Sequence, residues 1–382
     1  MIEIVKVQTR KELQQFIRFP HQLYRDAPFY VPQLNAMQRW QLDHNRNPFF
    51  QHSEAAYFLA RREGVAVGRI AAIVNRMHLL YQGGQDGFFG FFDAENDPAI
   101  AHALLTAAAR FLNRFQLTKM IGPENFTTNE SVGVLIRGFD SSPMIMMPYN
   151  FPYYQDLLLA NGFSPILELS SYYLTHSKLP EGIHAKAALL EKRLNQKGIT
   201  IRPINFKKFD TDISRMRLAY NEANEGNWGF VPLTEAEFQH MANDIRQLVA
   251  PENVLLAEMD SQIIGYLVSL PDANQVFKKI RNGKLFPFGW RHLLGSRRKI
   301  NGIRILILGV IPAFRKSGID WCFYSRISRY VQACGIDGAE ACYVMKSNDA
   351  MNRMIQRLNG EVVKEYRLFE APLDKFLNSS KK

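Results

Sequence analysis

Apolar positions in this chain run unbroken or alternate over short stretches, and between those stretches they recur every three to four residues. That order predicts strands separated by amphipathic helices. Met1 to Val7 reads as an edge strand, followed by a helix over Lys11 to Ile17 that Pro20 ends. Ala56 to Arg61 and Val65 to Val74 form a hairpin, and Gly87 to Phe92 is a third strand. Asp97 and Pro98 open a long helix, Ile100 to Leu117. Lys119 to Gly122 is a short strand, 122–149 is irregular, Tyr153 to Ala160 is helical, and Phe163 to Thr175 is extended.

The order then starts again. After a polar helix (His184 to Gln196) come a strand (Thr200 to Asn205), helices over Phe209 to Glu225 and Thr234 to Leu248, and a hairpin, Val254 to Glu258 with Gln262 to Leu270. Ile303 to Ile311 is an apolar run broken only by Arg304 and Gly309, as expected of a strand covered on both faces. A basic turn follows. Tyr324, Ile327, Val331 and Cys334 then mark one helix face that ends at Gly335. Gly338 to Met345, Ala350 to Leu358 and Val362 to Glu370 read as strand, helix and strand.

Spacings match between the halves. Phe29 to Pro32 (FYVP) is echoed by Gly229 to Pro232 (GFVP), Ala60 to Gly68 by Ala257 to Gly265, and Asn150 to Gly162 by Asn348 to Gly360. Three echoes in the same order argue for a duplicated unit of mixed α/β class.

Composition adds little until charge is placed. The 382 residues are 47% hydrophobic and 22% charged, which suits a chain of two or three domains. No apolar run is long enough to span a bilayer, and the N-terminus lacks the order of a signal peptide. Cys322, Cys334 and Cys342, without a C-x-x-C, fit buried thiols in a reducing cytoplasm. Nine histidines without ligand spacing, and no G-x-S-x-G, argue against metal and serine-hydrolase chemistry, so no metal is expected. The net charge is +11, and the interval between Asp272 and Asp320 carries 11 cations and no acid. The rest of the chain is therefore balanced.

Within that interval Arg315, Lys316, Ser317 and Gly318 form the turn between strand and helix, with Ile319 and Asp320 opening the helix. Free N–H groups, a helix N-terminus and two cations at one point make a pyrophosphate site. Arg315-x-x-Gly318 between strand and helix resembles the acyl-CoA signature of the GNAT acyltransferases, R/Q-x-x-G-x-G/A, although Asp320 stands where Gly or Ala is usual. The repeated element order also resembles that fold. With GFFGFF (Gly87 to Phe92), NWGFVP (Asn227 to Pro232), LPDANQ (Leu270 to Gln275), KLFPFGW (Lys284 to Trp290) and YRLFE (Tyr366 to Glu370), the chain resembles bacterial tandem GNAT proteins of this length. It is also similar to bacterial N-acyltransferases that attach long acyl chains to sphingoid-base amines.

The resemblance implies two GNAT-like domains, 1–178 and 200–382, joined by a helix at 179–199. Acyl-CoA or acetyl-CoA would be the co-substrate and an amine, small or lipidic, the acceptor. The first domain carries Asp93, Glu95 and Asp97 where the second carries Arg315 and Lys316, so the resemblance assigns CoA to the second. Leu308, Gly309 and Val310 would hold the thioester and pantetheine through their backbone, with Val310 at the thioester. Asn348 falls at the position that meets the CoA arm, and it is equally suited to cap a helix. The family's general-acid tyrosine falls at Ile355, so that role is absent or moved, and Tyr343 or Tyr366 is a substitute. Glu340 or Glu222 is the candidate base, with Glu225 a further choice, each also readable as a surface carboxylate. By strand alternation Glu340 and Cys342 share a face and Tyr343 takes the other. Asn227, Trp228 and Asn274 are expected on the acceptor side.

A non-catalytic acyl-CoA-binding or membrane-docking protein is the competing class. Gly68 to Gly90 spans 22 residues and Gly265 to Gly309 spans 44, so about twenty-two residues are inserted in the second half. The basic stretch 277–300 mixes cations with Phe277, Phe286, Phe288, Trp290, Leu293 and Leu294. It suits an anionic membrane surface at the inner face, or a solvated loop that recruits CoA phosphates. No nucleic-acid fold signature accompanies it.

Overall fold

The computed structural model describes residues 1–295 and 300–378. Their chain divides into two compact units that interleave in sequence: Met1–Glu168 with Asn274–Ser296 and Lys364–Lys382, and Leu169–Ala273 with Arg297–Val363.

In the first unit β1 (Ile2–Lys6), β2 (Glu54–Arg62), β3 (Val65–Val74) and β4 (Asp86–Ala94) pair antiparallel in order. β5 (Lys119–Gly122) lies parallel to β4. Helix α1 (Arg10–Leu23) is opened by a Thr9–Glu12 capping box and runs through Pro20. The expected stop at Pro20 is overridden because Phe16, Ile17, Phe19 and Pro20 are all buried. Short helices α2 (Asn35–Gln41) and α3 (Arg76–Gln82) add to the reading from sequence. Helix α4 (Pro98–Asn113), capped by Asp97, supplies Ile100, Leu104, Leu105 and Leu112 to a core shared with Ile70, Phe89 and Phe369. Strand β6 (Val134–Arg137) and helix α5 (Tyr154–Ala160) follow.

Strand β7 (Ser164–Thr175), helix α6 (Ile183–Gln196), β8 (Thr200–Pro203), α7 (Phe209–Asn224) and α8 (Glu235–Arg246) lead to β9 (Val254–Met259) and β10 (Gln262–Pro271). A short helix α9 (Asn274–Phe277) belongs to the first unit. The chain then forms β11 (Gly302–Val310), α10 (Ile319–Ala333), β12 (Gly338–Met345), α11 (Asp349–Arg357), β13 (Glu361–Pro372) and α12 (Asp374–Leu377). The second unit's sheet runs β8-β9-β10-β11-β12-β7, antiparallel except for β11 beside β12.

Both units therefore share one plan, with a single parallel pair next to the closing strand. Ala60 pairs with Gly68, and Ala257 with Gly265. Each glycine lies under the helix that follows the third strand of its hairpin sheet: a Cβ at Gly68 would meet Leu104 at 2.7 Å, and one at Gly265 would meet Ile319 at 3.3 Å. The closing strands come from distant sequence. Phe369 to Pro372 pair with β5, and Leu169 to Thr175 pair with β12. The insertion expected near 277–300 corresponds to the excursion Asn274–Ser296 into the first unit. Arg297, Arg298 and Lys299 lie outside the described residues.

Candidate functional site

The parallel pair β11–β12 frames the candidate site. Register partners run from Gly302–Gly338 to Ile305–Ala341 and stop there. Beyond Ile305 the two strands diverge, while β11 stays paired with β10 as far as Val310. The result is a slot of about 17 Å from Ile305 to Val310 at 3.3 Å per residue. Leu306, Ile307, Leu308 and Val310 are only half-buried along it. The expectation of a strand covered on both faces thus fails at its C-terminal half, where one neighbour has left.

The turn Arg315–Gly318 closes the far end. Gly318 has φ 93° and caps α10. A Cβ there would also meet Leu190 at 3.0 Å, so a side chain is opposed by both backbone and packing. Arg315 and Lys316 are exposed. The Arg315 guanidinium donates to the Ala223 carbonyl at 3.1 Å, which ties the turn to the end of α7. The Ser317 hydroxyl is buried with no hydrogen-bond partner among the described residues. Ile319 is core.

Asp320 is half-buried. Burial raises its carboxyl above the usual range, against the backbone N–H groups of Trp321 and Asp320 that it accepts from and the charge of Lys186. It stands in the first turn of α10 beside N–H groups that an anion would use. Asp320→Asn keeps an acceptor oxygen for those N–H groups and removes the charge. We expect CoA to bind the variant about fivefold more tightly, read by calorimetry; weaker binding would show that the charge does not oppose the ligand.

At the near end, Arg304 and Glu340 are register partners, 3% and 4% exposed. The Ser171 hydroxyl of β7 donates to Glu340 Oε1. Glu340 is therefore not a surface carboxylate but a buried one at the apex of the slot. A register shift between Ala341 and Val344 breaks the strand alternation. The ring centroid of Tyr343 comes to 5.8 Å from the Arg304 guanidinium, which also reaches the Cys342 carbonyl at 3.5 Å. The expectation that Tyr343 faces away from the Glu340 neighbourhood is corrected by that bulge. Burial pushes the Cys342 and Cys322 thiols up to about 11, so neither is a nucleophile near neutrality. Cys334, expected to be buried, is exposed where α10 ends.

One residue beside the slot gave no sequence signal. Tyr266 on β10 pairs with Gly309. A Cβ at Gly309 would lie 2.2 Å from the tyrosine hydroxyl, so only glycine fits there. Tyr266 is fully buried and its hydroxyl is held well above the ordinary range by that burial. Asn224 donates to it at 2.6 Å, and Asn227 donates to Asn224 Oδ1 at 2.8 Å. Tyr266, Val268 and Leu270 pair with Gly309, Ile307 and Arg304. All six therefore share one face, the face that α7 covers through Tyr220 and Asn224. Arg304, already conspicuous inside an apolar run, and Glu340 belong to that same face.

The other predicted residues fall elsewhere. Glu222 is exposed on α7 and Glu225 is exposed just beyond it. Trp228 is half-buried in the following loop. Asn348 caps α11, its side chain accepting from Met351 N at 3.1 Å. Asn274 belongs to the first unit, where it is buried and donates to the Pro143 carbonyl at 2.9 Å. Tyr366 is buried in β13.

The first unit has the same diverging pair, but its slot is filled. β4 and β5 pair only as far as Phe88 and Ile121. There the Phe89 carbonyl accepts from Glu124 N at 2.7 Å, and Phe91 N donates to Asn125 Oδ1 at 2.8 Å. A Cβ at Gly90 would lie 2.2 Å from the Glu124 carbonyl oxygen. Gly87 to Ala94 are all buried. Asp97 caps α4, accepting from Ala99 N and pairing with Arg62. Asp93, expected in the turn, lies within β4 in a buried ion pair with Arg69 at 2.7 Å. The Asp93 charge is thus spent inside the unit, and main-chain atoms of Glu124 fill the slot beside β4.

Two units of this plan, each with a diverging parallel pair before a helix, make up a tandem GNAT fold. Solved structures agree on the fold. A tandem GNAT protein from the clavulanic acid biosynthesis pathway covers 98% of the chain and 99% of its own length at TM-score 0.56 and 11% identity. A GCN5-related N-acetyltransferase from Sphaerobacter thermophilus covers 97% of the chain and 96% of its own at TM-score 0.54 and 15% identity. No family model matches. The chain belongs to the family of the bacterial ceramide synthase of Caulobacter vibrioides, 31% identical over 97% of this chain and 98% of that one, and protein YghO of Escherichia coli (strain K12), 32% identical over 94% and 93%.

Proposed function

We propose that the second unit transfers an acyl group from acyl-CoA to the amine of a long-chain, lipidic acceptor. The observation that carries this is the contrast between the two slots: open and half-exposed along β11, filled by the chain's own backbone along β4. In this reading the pyrophosphate sits on Arg315 to Gly318 and the α10 N-terminus. The pantetheine arm pairs with the free edge of β11 at Leu308 to Val310. Because the carboxylate lies at the apex, the thioester lies beside Leu306 and Ile307 rather than at Val310.

The chemistry then follows the shared face. Amine nitrogen attacks the thioester carbonyl, the carbon–sulfur bond breaks, and the nitrogen's proton passes to Glu340, which Ser171 orients. Arg304, beside Glu340, faces the oxygen on which negative charge develops. Tyr266, whose hydroxyl accepts from Asn224 and so keeps its own proton for donation, protonates the departing thiolate.

An apolar acceptor is favoured by the half-exposed Leu306, Ile307 and Leu308 and by kinship with a protein named ceramide synthase. The test is thiol release from palmitoyl-CoA with a sphingoid base against a short polar amine such as spermidine. Release with the long-chain base alone is expected. Release with the polar amine alone would refute the lipidic acceptor, and binding without release under any amine would favour a non-catalytic acyl-CoA carrier.

A further inference from the structure

We infer that the segment from Lys284 to Leu294 is a docking surface for an anionic phospholipid bilayer. It is a built loop. Asn35 N donates to the Gly283 carbonyl and Asn35 Nδ2 to the Asn282 carbonyl, both at 2.9 Å. Lys278 Nζ reaches Ser142 Oγ at 2.9 Å. Within the loop Trp290 N donates to the Leu285 carbonyl at 2.8 Å. Yet this ordered loop leaves its large apolar side chains outside: Phe286 is 78% exposed, Phe288 63%, Leu294 64%, Trp290 40% and Leu293 37%. So dense a group of exposed apolar residues marks an interaction surface.

Charge selects the partner. Lys278, Lys279, Arg281, Lys284 and Arg291 accompany the apolar side chains, and no carboxylate occurs between Asp272 and Asp320. Rings, leucines and cations on one loop match the acyl boundary and the phosphates of an anionic leaflet. A polynucleotide would take the rings but leave the leucines wet. The indole N–H of Trp290 is already bonded to the Pro287 carbonyl at 2.9 Å, so the ring enters an apolar layer without stranding a donor. Beside Phe286 lies a groove of about 300 Å³ with Arg18, Arg39 and Lys284 in its wall, sized and charged for a lipid headgroup phosphate.

Flotation with phosphatidylcholine vesicles, with and without phosphatidylglycerol, tests this on the full chain. The wild type is expected to float with the anionic vesicles and stay behind with the neutral ones. Phe286→Ser with Phe288→Ser and Leu294→Ser, all at exposed positions, should lose at least about tenfold in vesicle affinity. Lys284→Glu with Arg291→Glu should lose about as much, and high salt should mimic that pair. Wild type that ignores anionic vesicles, or a triple variant that floats as before, overturns the inference. So does a wild-type dimer that the triple variant converts to monomer, because the face would then join two copies. Calorimetry of the triple variant with CoA should match wild type, which separates failure here from failure of the acyltransferase reading.

Discussion

Glu340→Gln is expected to lower acyl transfer by about a thousandfold while CoA affinity stays within about twofold of wild type. The substitution keeps the shape of the side chain and an oxygen for the Ser171 hydroxyl. It removes only the capacity to take a proton from the amine. Stopped-flow thiol release at saturating acyl-CoA measures the step directly. Calorimetry on the same sample reports that the slot is intact, since Glu340, opposite Arg304, lies about 20 Å along β11 from Val310, where the strand ends before the turn. Equal loss of binding and transfer would make Glu340 a structural partner of Arg304 and move the base elsewhere. Glu222 and Glu225 would then return as candidates, and both are exposed.

Charge reversal at the turn, Arg315→Glu with Lys316→Glu, should weaken CoA binding by about a hundredfold at low salt. Both side chains are exposed, so the fold should tolerate the change. Two links to it are lost, the donations from Arg315 to the Ala223 carbonyl at 3.1 Å and to the Val310 carbonyl at 3.4 Å. The effect should shrink as salt rises, because exposed charges are screened. Dephospho-CoA and free pantetheine separate the parts of the ligand. Pantetheine lacks the pyrophosphate and should bind wild type and variant alike. A variant that binds CoA as the wild type does would show that the turn is not the anion site.

Much of this was legible in the sequence, for identifiable reasons. Hairpins, caps and the Arg315–Gly318 turn are local, and local chemistry writes itself into residue order. The repeat was legible because Gly68 and Gly265 both lie close beneath a helix, where a side chain would crowd Leu104 or Ile319. The closing strands were not, since Phe369 pairs with Gly122 and Leu169 with Met345 across long separations. The filled slot of the first unit was equally hidden. It rests on main-chain atoms of Phe89 and Glu124, and backbone contacts carry no residue signature. Tyr266 reads as core in any strand pattern, and only the missing Cβ of Gly309 opposite it reveals a constraint. Pro20 misled because proline's local penalty was outweighed by the burial of Phe16, Ile17 and Phe19 around it.

The central claim is that one repeat binds acyl-CoA and the other cannot. Calorimetric stoichiometry with CoA measures it most directly. One molecule bound per chain, abolished by reversing Arg315 and Lys316, is the result predicted here. Two per chain, or one that survives the reversal, would place CoA where β4 is filled and contradict the account.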